Sequence, residues 1–324
     1  MCEEVITYGD KLTLHRVSKY DPTYTTTLRN RMVRESNRRF DELIAVVRKA
    51  VVDEDCFGLK ELPHALLETS GEKAFAFTVS EKKVREFLKW LEGQVEKGLL
   101  TWVELEEIGE SVYPLWTNKF IREAYERGVS RARSELGRAG YVMPGIAEVS
   151  GVGGIGFMMG VRHIERIGLL YSRVYSELHG ITTAMEQQIG RVLAQGMLDG
   201  DNPMRIARKL VAAINGKGVG DLGLTDTLGR FIPAKRRAEI MARTEIIRAH
   251  HLGSIQEYRN WGVAGVKIIA EWSTAGDERV CPQCASLEGQ RFTLDEIEGM
   301  IPLHPQCRCV ALPVSKSVME KGGN

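Results

Sequence analysis

Residues 272–309 concentrate the side chains best suited to bind a metal. The run reads Trp272-Ser-Thr-Ala-Gly-Asp277-Glu278-Arg279-Val-Cys281-Pro-Gln-Cys284, then Leu287-Glu-Gly289, then Pro302-Leu-His304-Pro-Gln-Cys307-Arg308-Cys309. A Cys-x₂-Cys pair presents two thiolates from one tight turn, and a second ligand group farther along can close a tetrahedron around Zn²⁺. That second group offers His304, Cys307 and Cys309, of which four-coordinate zinc needs two. The preferred set is Cys281, Cys284, Cys307 and one of His304 or Cys309; the spacing does not choose between the last two. A thiolate-rich site of this kind is usually closed and structural, whereas a catalytic zinc keeps an open position.

Other readings of the same residues stand beside this one. The cysteines can be reduced and inert in a turn stapled by packing, with His304 a hydrogen-bonded turn residue between Pro302 and Pro305, or they can form disulfides in a mature extracellular particle. Asp277 and Glu278 can serve as general acid or base next to a metal, although acidic residues before a tight turn more often cap it. Cys2 and Cys56 stand apart from the cluster. The opening Met1-Cys2-Glu3-Glu4 is acidic where an export signal would be basic, and no apolar run approaches the roughly 20 residues of a membrane span. Clustered thiols in such a chain point to metal rather than to a disulfide framework.

The elements that must position this cluster are read from hydrophobic period. Asp21-Pro22 offers a helix start, followed by an apolar face of Leu28, Met32, Phe40, Leu43, Ile44, Val47 and Val51, with a break around Cys56-Phe57-Gly58. Ser80 caps a second helix carrying Val84, Phe87, Leu88, Leu91 and Val95, which Gly98 ends. A third follows Trp116-Thr117-Asn118 and buries Phe120, Ile121, Ala124, Val129, Ala132 and Leu136. From Val161 a stripe of Ile164, Ile167, Leu170, Val174 and Leu178 runs to Gly180, where an interruption is expected. Thr183 and Glu186 then form a capping box for a separate helix ending at Gly200. Asn202-Pro203 starts another, stopped at Gly216, and a further helix runs from near Pro233 to about Tyr258. Only Val266, Ile268, Ala270 and Trp272 alternate as a strand does.

The expected fold is therefore mainly α, a helical body with a small C-terminal α+β Cys/His module. Its divisions are an N-terminal helical region (1–140), a Gly-rich hinge (141–160), a central helical region (161–262) and the Cys/His module (263–324). Gly151, Gly153 and Gly156 fit a dinucleotide fingerprint, but no strand precedes them and no Gly-Lys-Ser/Thr follows. The stretch reads as a connector or a loop that touches a partner.

The 324 residues hold 44 Lys+Arg against 43 Asp+Glu with 43% hydrophobic residues, which excludes a disordered chain. The balance hides segregation: an excess of basic residues in 11–50 and 230–248, and of acidic residues in 53–110, including Glu104, Glu106, Glu107 and Glu110. Such faces suit a charged partner such as protein or DNA phosphates, or are simply solvated helix surfaces.

The joint pattern Trp-x-Thr-Ala-x-Asp-x-Arg-Val-Cys-x-x-Cys, Leu-x-Gly and Pro-x-His-Pro-x-Cys-Arg-Cys resembles the signature of the phage Mu F-like head morphogenesis proteins, also called minor head or minor capsid proteins. Ala242-Arg243-Thr244-Glu245 is similar to the family's Thr-Glu element, and the resemblance is close from about residue 190 to 314. Residues 18–56, with Arg38-Arg39-Phe40 and Asp55-Cys56-Phe57-Gly58, resemble the N-terminal part more loosely. Ser273 departs from the pattern without disturbing it. The resemblance implies a non-enzymatic virion component, a few copies inside the head near the portal vertex and in the host cytoplasm during assembly. Its partners would be the phage portal protein, other head or scaffold proteins and packaged DNA non-specifically, with no membrane. Some relatives add a C-terminal enzyme or toxin domain, for which the ten residues after Val314 leave no room. Two other classes compete. One is a metal-dependent hydrolase or nuclease using Asp277, Glu278 or Glu245; the other is a zinc-module DNA-binding protein.

Overall fold

A computed structural model of the chain describes residues 21–58, 81–100, 115–141, 161–216, 232–263 and 268–314. Its elements, in order, are α1 (Thr26–Arg48) with a π-helical turn (Lys49–Asp53), α2 (Glu81–Leu99), α3 (Asn118–Arg138), α4 (Val161–Leu198), α5 (Pro203–Asn215) and α6 (Ala234–Val263). After these come β1 (Ala270–Ser273), α7 (Pro282–Ala285), β2 (Arg291–Phe292), α8 (Leu294–Glu298) and β3 (Val310–Pro313). The fold is mainly helical with a small C-terminal α+β region, as the periodicity implies. Among the described residues no helix is long and apolar enough to cross a membrane. The chain forms two compact units, Met1–Asn30 with Thr117–Ser172 and Arg243–Asn324, and Arg31–Trp116 with Arg173–Ala242.

In the second of these units, α2 buries Phe87, Leu91, Val95 and Leu99 at spacings of four, and Gly190 of α4 lies against Leu88. Side chains close the ends: Trp116 Nε1 donates to the Leu99 carbonyl at 2.9 Å, and Arg39 donates to the Gly98 carbonyl at 2.7 Å while stacking over the Trp116 ring. Helix α5 follows its sequence signals closely. The Asn202 side chain accepts from Arg205 N, Pro203 occupies the first turn, Ile206, Leu210 and Ile214 point inward, and Gly216 ends the helix at φ 75°.

The other unit is built around the crossing of α3 and α6. Gly128 and Gly253 sit at the contact, where a Cβ on Gly128 would lie 2.0 Å from the His250 carbonyl oxygen and one on Gly253 would lie 2.3 Å from that of Tyr125. The absence of side chains there lets the two backbones touch, and Ser254 Oγ donates across the gap to the Gly128 carbonyl at 3.0 Å. A three-stranded antiparallel sheet in the order β2-β1-β3 belongs to the same unit, with Trp272 opposite Ala311 and Glu271 opposite Arg291. Ala270 and Trp272 turn inward to a core with Leu136, Ile255, Tyr258, Ile297, Ile301 and the thiols of Cys284, Cys307 and Cys309, while Glu271 faces out and pairs with Arg291.

Several expectations are corrected. Helix α1 starts at Thr26 rather than at Pro22, because Tyr24 takes a left-handed φ of 54° that no helix continues through. Asp21 still serves the helix end from outside, accepting from the Thr23 and Thr26 backbone N–H groups and hydroxyls. Helix α2 continues past Gly98 to Leu99, and α6 extends to Val263. Helix α4 is continuous through Gly180, so Thr183 and Glu186 form no capping box. The apolar stripe explains why, since Leu170, Val174, Leu178, Ile181, Met185 and Ile189 keep helical spacing across the glycine. At its start Ile164 is exposed and His163 takes the buried place, its ring between the Tyr125 hydroxyl and the Asn260 amide. Ser80, Glu104 to Glu110, the glycines at 151, 153 and 156, and Val266 lie outside the described residues.

Candidate metal centre

The cluster is assembled by elements too short to persist alone. Strand β1 ends in a turn at Gly276, φ 64°, where Arg279 N donates to Asp277 Oδ1 and Val280 N to the Asp277 carbonyl. Cys281 is the N-cap of the one-turn helix α7, and its Sγ accepts from Cys284 N at 3.4 Å, with Pro282 pre-set for the first helical position. One turn thus brings both sulfurs of the Cys-x₂-Cys pair to the same side. The chain then passes through β2 and the capping box of Thr293 and Glu296 on α8. It returns in the turn His304-Pro305-Gln306-Cys307, closed by Cys307 N donating to the His304 carbonyl at 3.1 Å.

All five residues singled out from the sequence meet here. Cys281, Cys284 and His304 form one trio of ligand atoms within 4.8 Å of one another, and Cys284, Cys307 and Cys309 form a second, so that Cys284 is common to both. His304 Nε2 lies 3.2 Å from each of the Cys281 and Cys284 sulfurs, and the Cys284 and Cys307 sulfurs are 3.9 Å apart. His304 Nδ1 is 2.9 Å from the Pro305 carbonyl oxygen, which can only accept, so Nδ1 carries a proton and Nε2 is the ring nitrogen aimed at the thiols. A metal-binding imidazole is usually oriented in this way. Tetrahedral zinc with Zn–S near 2.3 Å and Zn–N near 2.0 Å has ligand separations of roughly 3.5–3.8 Å, which the observed distances approach. Donor types and spacing within each trio suit zinc, and the shared Cys284 joins the two trios.

Electrostatics divide the thiols. Hydrogen bonding from Cys309 holds the Cys307 thiol down at about 5, and the backbone N–H of Cys284 lowers that of Cys281. Burial pushes Cys284 up to about 12, and the contact with Cys307 raises Cys309. For His304, burial works downward, but the Pro305 carbonyl and the Cys307 and Cys281 thiols outweigh it and raise the imidazole.

The acidic residues considered for catalysis are placed differently. Asp277 is clamped by Arg308, with both guanidinium nitrogens on the carboxylate, and by Arg279, so its carboxyl is held well below the usual range. Glu278 is exposed, and Glu245 is buried 3.3 Å from Arg248. Among the described residues, none of the three joins a cluster of ligand atoms. Sequence reasoning missed what holds the second ligand turn. Gln306 sits at a left-handed φ of 62°, its N–H donates to Thr244 Oγ1 at 3.0 Å, and its side-chain oxygen accepts from Arg243 at 3.0 Å. The only signal for this was the resemblance at Arg243-Thr244, since nothing in the local pattern links α6 to a glutamine 62 residues later.

Residues 187–312 match the family model described as Phage Mu protein F like protein, so the segment holding all five cluster residues and Thr244 is Mu F-like. The match is a likeness of that segment to the family and covers less than half of the chain. No curated protein and no solved structure matches it.

Proposed function

We propose that this chain is a structural adaptor of the phage head that acts at the portal vertex, inside the head. The observation that carries the reading is the Mu F-like match over 187–312, which contains the entire Cys/His cluster. In this reading the helices within each unit bury their apolar stripes against one another and offer their remaining faces to the portal protein and other head proteins. DNA is given no more than a non-specific, salt-sensitive contact, because basic residues of the 11–50 and 230–248 runs are engaged internally. Arg38 and Arg39 pair with Glu35, Lys235 with Asp41, Arg236 with Glu239 and Arg248 with Glu245. The role is non-enzymatic: the clamped Asp277 and the paired Glu245 are poor general bases.

Zinc is the metal assigned to the cluster, in a closed structural site that sets the geometry of the 268–314 module. Binding is then coupled to folding, and chelation loosens that module first. Purified protein should hold about one zinc per chain, and chelator should expose 268–314 to protease before the helices. Less than about a fifth of an equivalent, with unchanged cleavage, refutes the structural metal. The adaptor role is tested by purifying procapsids with and without portal: the chain should follow the portal. A Cys281→Ser protein that assembles normally but loses hydrolysis of nucleic acid would establish the enzyme instead.

A further inference from the structure

Five candidate donors surround a site that needs four, and the geometry separates them. This step rests on the zinc reading above. We propose that the metal is held by Cys281, Cys284, His304 and Cys307, with Cys309 outside the coordination sphere as a buried thiol packed behind Cys307.

The first trio is nearly complete: His304 Nε2 is equidistant from the Cys281 and Cys284 sulfurs at 3.2 Å, and its proton is committed at Nδ1 to the Pro305 carbonyl. The fourth corner must come from the Cys307-Arg308-Cys309 segment. Cys307 has its sulfur 3.9 Å from that of Cys284 and lies in the tight turn whose N–H closes on the His304 carbonyl. The Thr244 and Arg243 contacts to Gln306 fix that turn from α6, so His304 and Cys307 are aimed together. Cys309, which like Cys307 groups with Cys284 in the second trio, lies beyond the turn that ties Cys307 to His304. It leads into β3 and shares the apolar core of Trp272, Ile297 and Ala311.

Charge argues the same way. Zn²⁺ displaces one proton from each of three thiols and binds neutral His304, leaving a formal charge of minus one. Exchanging His304 for Cys309 would displace a fourth proton and leave minus two. The added thiolate would be 3% exposed in an apolar core, and Arg308 beside it is already committed to Asp277. A second buried negative charge without a new partner is costly, whereas His304, only half-buried, adds none.

The test is cobalt substitution of the full chain. Co²⁺ reports its ligands through its visible d–d bands and its thiolate charge-transfer intensity, which distinguish three sulfurs and one nitrogen from four sulfurs. The intact chain should give the three-sulfur spectrum, and Cys309→Ser should leave band positions and stoichiometry unchanged. Cys307→Ser and His304→Ala should shift the bands and weaken binding by more than the roughly 10–100-fold that loss of an outer partner costs. A four-sulfur spectrum in the intact chain, or a spectrum that changes in Cys309→Ser and not in His304→Ala, overturns this assignment while leaving a bound metal in place. A chain that takes up neither Co²⁺ nor Zn²⁺ overturns the zinc reading itself, and the assignment with it. Because the intact chain already decides between the two sets, the outcome does not depend on every variant folding.

Discussion

The Cys/His module and helix α4 are held together in contrasting ways. Helix α4 is 38 residues long and is specified by one apolar stripe that repeats at three and four residues. The module has strands of four, two and four residues and helices of four and five, none of which could persist in isolation. It is organised instead by side chains that bridge distant positions: Cys284 with Cys307, Asp277 with Arg308, and Glu298 with Arg166 and Arg259. Where elements are this short, the residues that look most reactive are the ones needed to fold the chain. Asp277 illustrates the point, resembling a general base in sequence and serving as a double arginine clamp in the structure.

The first way to strain that contrast is acid, which should act where α6 meets the module. His251 Nε2 donates to the carbonyl of Ile297, at 3.0 Å, and its Nδ1 is buried without a hydrogen bond; His250 beside it is also buried. Burial holds both imidazoles down, His250 to about 3 and His251 to about 4. The unfolded chain, with ordinary values near 6.5, therefore binds more protons between about pH 6.5 and 4. Their contribution to stability is complete above that window and is lost as pH falls through it, at about 1.4 kcal/mol per pH unit for each histidine and several kcal/mol in all. Carboxylates such as Glu298, held at about 2 by the guanidinium of Arg259, lose their contribution only at lower pH. Urea midpoints measured from pH 7 to 4 should fall steadily, and His251→Gln should flatten the slope. A flat profile above pH 4.5 would show that the histidines titrate normally.

A second, smaller effect is expected from Gly128→Ala. The added methyl would sit 2.0 Å from a backbone oxygen of α6, which cannot rotate away as a side chain would, so the helices must separate. The cost should be about 3 kcal/mol, at the upper end of overpacking, read as a lower urea midpoint with little change in slope. The Leu136 and Tyr258 side chains on these same helices line the core under Trp272, so near-ultraviolet dichroism of the tryptophans should weaken in parallel.

How much of this was legible in the sequence depended on whether the signal was local. Helix α5 could be read almost to the residue, because Asn202, Pro203 and Gly216 each act on their own turn. The five metal-binding candidates were equally visible, since residue type and spacing are themselves the signal. The crossing glycines were not: Gly128 and Gly253 break no helix, and their purpose is a backbone contact between segments far apart in sequence. Nor was His163, which holds an apolar position because the Tyr125 hydroxyl and Asn260 satisfy its ring. The placement of the second ligand turn likewise waited on Gln306, whose partners on α6 the local pattern cannot supply.

Gly180 completes the comparison with the smallest effect and the opposite sign. As a sequence feature it resembles Gly128, a glycine within a helical stripe, and it was expected to interrupt the helix. In the structure it lies inside α4, where a Cβ would meet nothing within 4 Å. A glycine there pays backbone entropy on folding without gaining a close approach, so Gly180→Ala should stabilise the protein by roughly 0.5–1 kcal/mol. The same methyl at Gly128 should cost several times more, because there the space is filled by another backbone. Thermal melting of the two variants side by side separates the cases: a higher midpoint for Gly180→Ala and a lower one for Gly128→Ala support a continuous α4 and a tight crossing. A Gly180→Ala protein that melts lower than the parent would mean that the glycine is a hinge after all, since alanine can be unfavourable only where the backbone must leave the helical region.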